Sequence, residues 1–542
     1  MPSKTDAGDV DVAIVGAGPA GIYMLHRART AGLSARVFDS AGGVGGTWYW
    51  NRYPGARCDV PSLEYSFGFD EDLQQEWSWP EKYSAQPDLL AYLNHVCDRF
   101  GLRDGIQLET RVDSVTYDEP QGRWQVGTDR GDNVSAQFVV MATGALSAAN
   151  PPDIPGLDTF AGDVIHTARW PHEPVDFSGK RVAVIGTGST GVQVIPEIAK
   201  QASELFVLQR TASYSLPSGN RPLDPAEEAV IKARYADFRA ANRLMPAAIG
   251  SLYQLRSTSV LDATPEERQL AFEETWEMGG FAFVRTFPDL TLSHEANKIA
   301  ADFARAKIRS IVHDPATAEL LSPKIVIGCK RMCIDSGYFE TYNLEHVHLV
   351  DVSTTPIQEV TSAGLRVGDR TYEVDAIVFA TGFDAMTGAL LRLDIRGRGG
   401  QPLGDAWAAG PGTYLGLSIP GFPNLFTIAG PGSPSVLTNV IVAIEQHVDW
   451  ITDCIEDMRD HGYSTIEAMP EARDAWVVHV NEVAADSLHN DPGCNSWYLG
   501  SNIEGKPRVF MPLLGFPAYV DRCEEVVVRG YEGFVLSPAS SP

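Results

Sequence analysis

Two glycine triplets, and the charges that follow them, carry the first chemical information in the chain. Residues 182–185 form a short apolar run, VAVI, that drops into Gly186-Thr187-Gly188-Ser189-Thr190-Gly191. Glycines at this spacing, between a buried strand and a helix, permit a tight turn, a close backbone approach to a pyrophosphate and close packing of helix on strand. The phosphates then sit at a helix N-terminus, where free N–H groups and the helix dipole favour an anion. One loop of this kind is weak evidence. Residues 10–15 followed by Gly16-x-Gly18-x-x-Gly21 repeat it near the N-terminus, and the pair is strong evidence for two nucleotide sites.

The ends of the next strands tell the two sites apart. Residues 35–38 read as a strand ending in Asp39. A carboxylate there accepts hydrogen bonds from a free adenosine ribose and repels a 2′-phosphate, so the first nucleotide is FAD or NAD. Residues 205–208 lead instead into Gln209-Arg210-Thr211. A guanidinium pairs bidentately with a 2′-phosphate and the threonine hydroxyl can add a bond, so the second nucleotide is NADP(H). A plain solvated surface charge is the competing account of Arg210.

The elements that must position these residues are also duplicated. Residues 114–118, 123–128 and 133–134 read as a β-meander leading into Ala142-Thr143-Gly144. Residues 356–360, 365–367 and 371–374 repeat it before Ala380-Thr381-Gly382. The fold class is therefore α/β, with two dinucleotide-binding, Rossmann-like domains. From 222 to about 321 strands give way to helical signals, such as the capping box Thr264-Pro265-Glu266-Glu267, which reads as a helical insertion. The expected division is an FAD domain over 1–148 and 383–542, an NADP domain over 149–218 and 329–382, and a helical subdomain over 219–328. Residues 422–428 read as a strand and 436–458 as an amphipathic helix. Its N-terminus would aim at the flavin, or it is an ordinary packing helix.

A chain of 542 residues exceeds the size of a single core. The net charge of −27 argues against nucleic-acid and anionic-membrane partners. Seven cysteines, odd in number and without a Cys-x-x-Cys pair, predict reduced thiols in a cytoplasmic protein with no disulfide scaffold. Cys329 and Cys333 have no further ligand at metal-binding spacing, so no metal site is expected. The opening MPSKTDAGDVDV lacks a signal-peptide pattern, and no apolar run reaches about 18 residues.

Longer motifs carry a resemblance. Phe160-x-Gly162-x-x-x-His166-x-x-x-Trp170-Pro171 resembles the fingerprint of type I Baeyer–Villiger monooxygenases, and GGTWYWNRYPGARCD at 45–59 resembles that family's second motif. FATGFDAMTG, AGPGSPS and SWYLGSNIEGKPRVFMP are most similar to the phenylacetone and steroid monooxygenase branch. The resemblance spans 10 to about 533. It implies NADPH- and O2-dependent conversion of ketones to esters or lactones through a flavin C4a-peroxide, with sulfide oxidation as a side activity. It implies FAD and NADP(H) as cofactors, a small ketone as substrate, and a monomer or weak homo-oligomer. Both the peroxide and the adduct are anions, so a sheltered cation is needed beside the flavin. By motif, Arg331 is that cation and Asp59 the carboxylate that holds it. Lys330 joins Arg210 and Thr211 on the 2′-phosphate, and Trp497 lies on a mobile loop closing over NADP+. Trp48, Tyr65, Val112 and Val440 complete the implied cofactor contacts. Side chains around Ser435, Val436 and Leu437 are expected to govern substrate choice. His166 and Trp170 would couple domain motion to turnover, although a satisfied core histidine accounts equally well for His166. Rival readings are heteroatom oxidation, a disulfide reductase, which needs a redox cysteine pair beside the flavin, and a non-enzymatic NADP-binding sensor.

Overall fold

The computed structural model describes residues 6–253 and 256–538. The first five residues, on which part of the N-terminal reading rests, lie outside that range. Strand β1 (Asp6–Val15) is the centre of the first sheet, parallel to β2 (Ala35–Phe38) on one side and to β6 (Asn133–Met141) on the other. Val12 and Ile14 are wholly buried, as expected of a parallel strand covered on both faces. β3 (Ile106–Gln107) extends the sheet beyond β2, while β4 (Val112–Asp118) and β5 (Arg123–Thr128) form the antiparallel meander that leads into β6.

The second sheet is parallel throughout. It is built on β8 (Arg181–Ile185), flanked by β9 (Glu204–Gln209) and, through a later strand, by β7 (Asp163–His166). The chain then forms β10 (Ser215–Pro217) and leaves the sheet for a helical region. It returns as β11 (Cys333–Asp335), which pairs with β10. β12 (Val347–Asp351) joins the edge at β9. The meander β13 (Ile357–Thr361), β14 (Gly364–Val367) and β15 (Arg370–Glu373) follows, and β16 (Ala376–Phe379) inserts between β7 and β8. Finally β17 (Asp394–Arg396) adds to β4 and β18 (Leu425–Thr427) to β6, so the last third of the chain closes the first sheet.

The two Ala-Thr-Gly motifs have a shared reason. Gly16 has φ +111°, and a Cβ there would lie 2.5 Å from the carbonyl oxygen of Ala142; Gly186 has φ +109° with the same 2.5 Å to Ala380. A Cβ on Gly21 or Gly191 would overlap the carbonyl oxygen of Gly16 or Gly186. Each turn is thus packed on the end of a neighbouring strand with no room for a side chain.

In the helical region, Thr264 accepts from Glu267 N–H and Glu267 from Thr264 N–H, completing the capping box of helix Pro265–Met278. That helix and His294–Ile311 bury Phe272, Phe283, Phe287 and Phe303 against Met332 and Ile334, the residues that follow Arg331. The long C-terminal helix runs over Val440–His461 and packs on the first helix, Pro19–Thr30, with Tyr23 donating to Asp449 at 2.7 Å. It starts later than the expected 436. Ser435–Leu437 is a separate 3-10 turn, because Asn439 caps the helix by accepting from Ile441 N–H while its amide donates to Glu64 O. The strand expected over 422–428 shortens to β18. Among the described residues no helix is long and apolar enough to cross a membrane.

Candidate active site

The first cradle is Gly16, Gly18 and Gly21 between β1 and helix Pro19–Thr30. Gly18 is the N-cap and offers no side chain to the first-turn N–H groups, which stay available to a phosphate. Asp39, just beyond β2, accepts from Ala17 N–H at 2.6 Å and Ala41 N–H at 2.8 Å, which fixes its carboxylate against the loop. Burial raises its pKa, and the two N–H donors oppose that shift. Trp48 is buried, and its indole N–H donates to Tyr65 Oη at 3.3 Å with the rings edge to face. Val112 opens β4 and is buried; Val440 is the first residue of the long helix.

The second cradle follows the same plan. Gly188 caps helix Ser189–Ala199 without a side chain, Gly191 lies in its first turn, and Ser189 Oγ is 3.6 Å from Cys333 Sγ. Thr187 Oγ1 donates to Thr211 O at 3.1 Å, tying the loop to the exposed strand end that carries Arg210. Half-buried Lys330 stands close enough to Arg210 to feel its charge. Burial lowers the Lys330 pKa and Arg210 lowers it further. Neither cation forms a salt bridge with another described residue. Two unneutralised cations side by side are the electrostatic form of an anion site.

The next residue reaches the other way. Arg331 Nε donates to Asp59 Oδ2 at 2.5 Å and Nη2 to Asp59 Oδ1 at 2.8 Å, a bidentate pair with each side chain a quarter exposed. Nη1 donates to Val436 O at 2.7 Å, and the guanidinium lies 5.2 Å from the Phe281 ring centroid. Burial would pull the arginine pKa down, but the Asp59 charge and hydrogen bonds outweigh it and hold it above its ordinary value. Arg331 is a permanent cation with a fixed direction. The structure therefore brings Arg331 together with Asp59, 272 residues away, and with the 435–437 turn, 105 residues away, and it sets Lys330 near Arg210.

Trp497 is half-buried in the short turn Trp497–Leu499 and packs with Val436, Met386 and Met511. The signature stretch 45–59 clasps the second cradle's helix: Tyr53 Oη donates to Gln193 Oε1 at 2.8 Å, and Gln193 Nε2 to Arg57 O at 3.1 Å. His166 accepts from Ala168 N–H, and its other ring nitrogen lies 3.1 Å from Thr381 Oγ1 and 3.4 Å from Asn150 O, at the crossings between the two sheets' segments. Trp170 is buried against Phe177.

Residue types alone missed several contributors. Phe281 and the Val436 carbonyl carry no motif of their own, and Met386, though inside the FATGFDAMTG stretch, has no side-chain chemistry that singles it out. Met386, Ala429 and Ser435 all have φ above +40°, and Ser435 Oγ donates to Ala429 O and lies 3.9 Å from Met386 Sδ. Backbone strain gathered at one place marks a site held by its surroundings. One expectation is overturned. The cysteines are not all free: Cys329 and Cys494 form a disulfide, between positions 165 residues apart that no local spacing pairs. Both are wholly buried, so the bridge offers no face to an outside thiol. A separate cavity of about 650 Å³ is lined by Glu64, Lys232, Arg239 and Glu445. Among these groups Lys232 pairs with Glu228, Glu445 with Arg243 and Gly68 N–H, Glu64 accepts from Gly250 N–H, and Arg239 donates to the Ser66 and Phe67 carbonyls.

Two nucleotide cradles joined by a carboxylate-held arginine define a flavin- and nicotinamide-dependent oxidoreductase. The pyridine nucleotide-disulphide oxidoreductase family matches residues 13–236. The chain is 42% identical over 538 residues to a Baeyer-Villiger monooxygenase of Pseudooceanicola batsensis, covering 98% of this chain and 97% of that protein. It is 42% identical over 531 residues to the phenazine N-monooxygenase of Lysobacter antibioticus, covering 97% of each. A solved structure of oxidized steroid monooxygenase bound to NADP superposes with a TM-score of 0.93 at 52% identity, covering 98% of this chain and all of that one. The chain belongs to the type I Baeyer–Villiger monooxygenases, whose cofactors are FAD and NADP(H).

Proposed function

We propose that this protein oxygenates a small ketone, consuming one O2, one NADPH and one proton and yielding an ester or lactone, NADP+ and water. The observation that carries the reading is the Arg331–Asp59 pair, aimed by the Val436 carbonyl and reached from the residue next to the 2′-phosphate cations. The glycine cradles fit FAD and NADP(H), since each is a tight turn with no room for a Cβ at its first and third glycine, ending on a helix N-terminus that no side chain caps. FAD, when bound, supplies the activation of O2 by electrons from NADPH.

The chain's own residues supply the rest. Arg331 places fixed positive charge where negative charge develops on oxygen, its direction set in advance by Asp59 and the Val436 carbonyl. Asp59 orients Arg331 and keeps it from swinging toward the nucleotide phosphates. Phe281 covers one face of the guanidinium. Arg210, Thr211 and Lys330 select the 2′-phosphate, Asp39 the free ribose, and Trp497 shields the closed site. Ser435, Val436 and Leu437 shape the ketone's place.

Arg331→Ala is expected to lower ester formation by about 10²–10³, roughly 3–4 kcal/mol of lost charge stabilisation, while NADPH still reduces the enzyme. Ester yield and flavin reduction measured on the same preparation check this. Undiminished ester yield would remove Arg331 from the mechanism. Heteroatom oxidation is the second reading, favoured by the equal identity to an N-monooxygenase. Product identification from matched ketone, sulfide and N-heterocycle substrates, with NADPH consumption followed, separates the two.

A further inference from the structure

The Cys329–Cys494 bridge has ends that fall in telling places. Cys329 directly precedes Lys330 and Arg331, and Cys494 stands three residues before Trp497. The other described cysteines, at 58, 97, 333, 454 and 523, are free. The segment carrying Trp497 is otherwise held by reversible contacts. Asn502 Nδ2 donates to Phe383 O at 2.9 Å, Lys506 Nζ to Asp384 Oδ1 at 2.6 Å and Ala385 O at 3.0 Å, and Met511 N–H to Tyr498 O at 2.9 Å. Only the disulfide ties it covalently to the segment that bears both the phosphate cation and the reactive cation.

We propose that this bridge is a redox latch: the oxidised chain holds the Trp497 segment closed over bound NADP+, and the reduced chain releases the nucleotide faster. The proposal rests on the NADP(H) assignment above. In the oxidising step two thiols give two electrons and two protons to hydrogen peroxide, the S–S bond forming as O–O breaks and two waters leave. NADPH oxidation uncoupled from oxygen insertion supplies that peroxide by two-electron reduction of O2. A dithiol reductant reverses the step through a mixed disulfide. Because both cysteines are fully buried, exchange requires the two bridged segments to loosen together from their surroundings before a thiolate can reach the sulfurs. A bound nucleotide therefore protects the latch that retains it.

The test uses the full chain loaded with FAD, treated with peroxide or with a dithiol and then freed of reagent. Alkylation under denaturing conditions counts thiols, and stopped-flow displacement measures NADP+ release. The expected result is five alkylated cysteines after peroxide, seven less the bridged two, and seven after the dithiol. NADP+ release is expected to be about ten-fold faster in the reduced form, because an untethered segment recloses less often. Cys494→Ser and Cys329→Ser should both release NADP+ at the fast rate and ignore the dithiol. Seven thiols after peroxide would overturn the proposal. So would equal release rates with only a lower Tm on reduction, which would make the bridge a staple. Failure to bind NADP+ in either state, with turnover on NADH intact, would overturn the nucleotide assignment and the latch with it.

Discussion

The two cradles differ by almost nothing in backbone and by the sign of one side chain. Gly16 and Gly186 have φ values two degrees apart, and each would place a Cβ the same distance from an Ala-Thr-Gly carbonyl. Both helices that follow have a glycine N-cap without a side-chain bond. At the strand ends the resemblance stops. Asp39 is folded back onto its own loop by two N–H donors, whereas Arg210 is exposed and faces another cation. On the proposed assignment the repeated backbone serves what the nucleotides share, a pyrophosphate, and the strand ends serve what they do not.

The largest effect should come from placing the same steric insult on each cradle. Gly16→Val is expected to abolish FAD incorporation, so the purified protein loses its flavin absorbance and all activity. Gly186→Val should retain FAD yet lose NADPH-driven flavin reduction, falling below detection. A valine at either position meets a carbonyl oxygen at 2.5 Å and a left-handed φ. Flavin absorbance and anaerobic reduction, measured on both variants, check the assignment. Loss of FAD from Gly186→Val would collapse the distinction between the cradles.

How much of this was legible in residue order depended on distance along the chain. The placement of both triplets, of Asp39 and of Arg210 is readable because turn, helix start and strand end follow one another closely along the chain, and local physics dictates each one. The Arg331–Asp59 pair spans 272 residues; a motif resemblance pointed to it, whereas spacing alone could not. Phe281 and the Val436 carbonyl were unreadable, one being an ordinary aromatic in a helical insertion and the other a backbone atom. The helix expected from 436 starts at 440 because the apolar periodicity continues through a turn that Asn439 interrupts with its cap. The disulfide was missed because an odd, scattered cysteine count speaks against a scaffold but says nothing about one long-range pair.

A smaller effect sharpens the comparison at the strand end. Arg210→Ala should raise the KM for NADPH by about ten- to a hundred-fold, the worth of one or two charge-assisted hydrogen bonds. It should leave NADH kinetics and FAD content almost unchanged. Steady-state kinetics with both nucleotides suffice. Equal losses with NADPH and NADH would mean that Arg210 supports the loop and does not read the 2′ position.

The smallest effect is a pH dependence that only the second cradle should show. Lys330 titrates below an ordinary lysine because burial and the Arg210 charge both disfavour its ammonium form. A 2′-phosphate binds the charged form, so NADP+ affinity should be full below that lowered pKa and fall as pH rises through it. Arg210→Ala removes the like charge and should move the limb to higher pH while weakening binding overall. Lys330→Met should cost a few-fold in affinity at neutral pH and erase the limb. FAD retention, governed by a cradle with no such cation pair, should stay flat over the same range. NADP+ dissociation constants from pH 7 upward, on the three proteins, decide the matter. A limb that does not move in Arg210→Ala would show that the two cations act independently, and that the second cradle reads its phosphate through one of them alone.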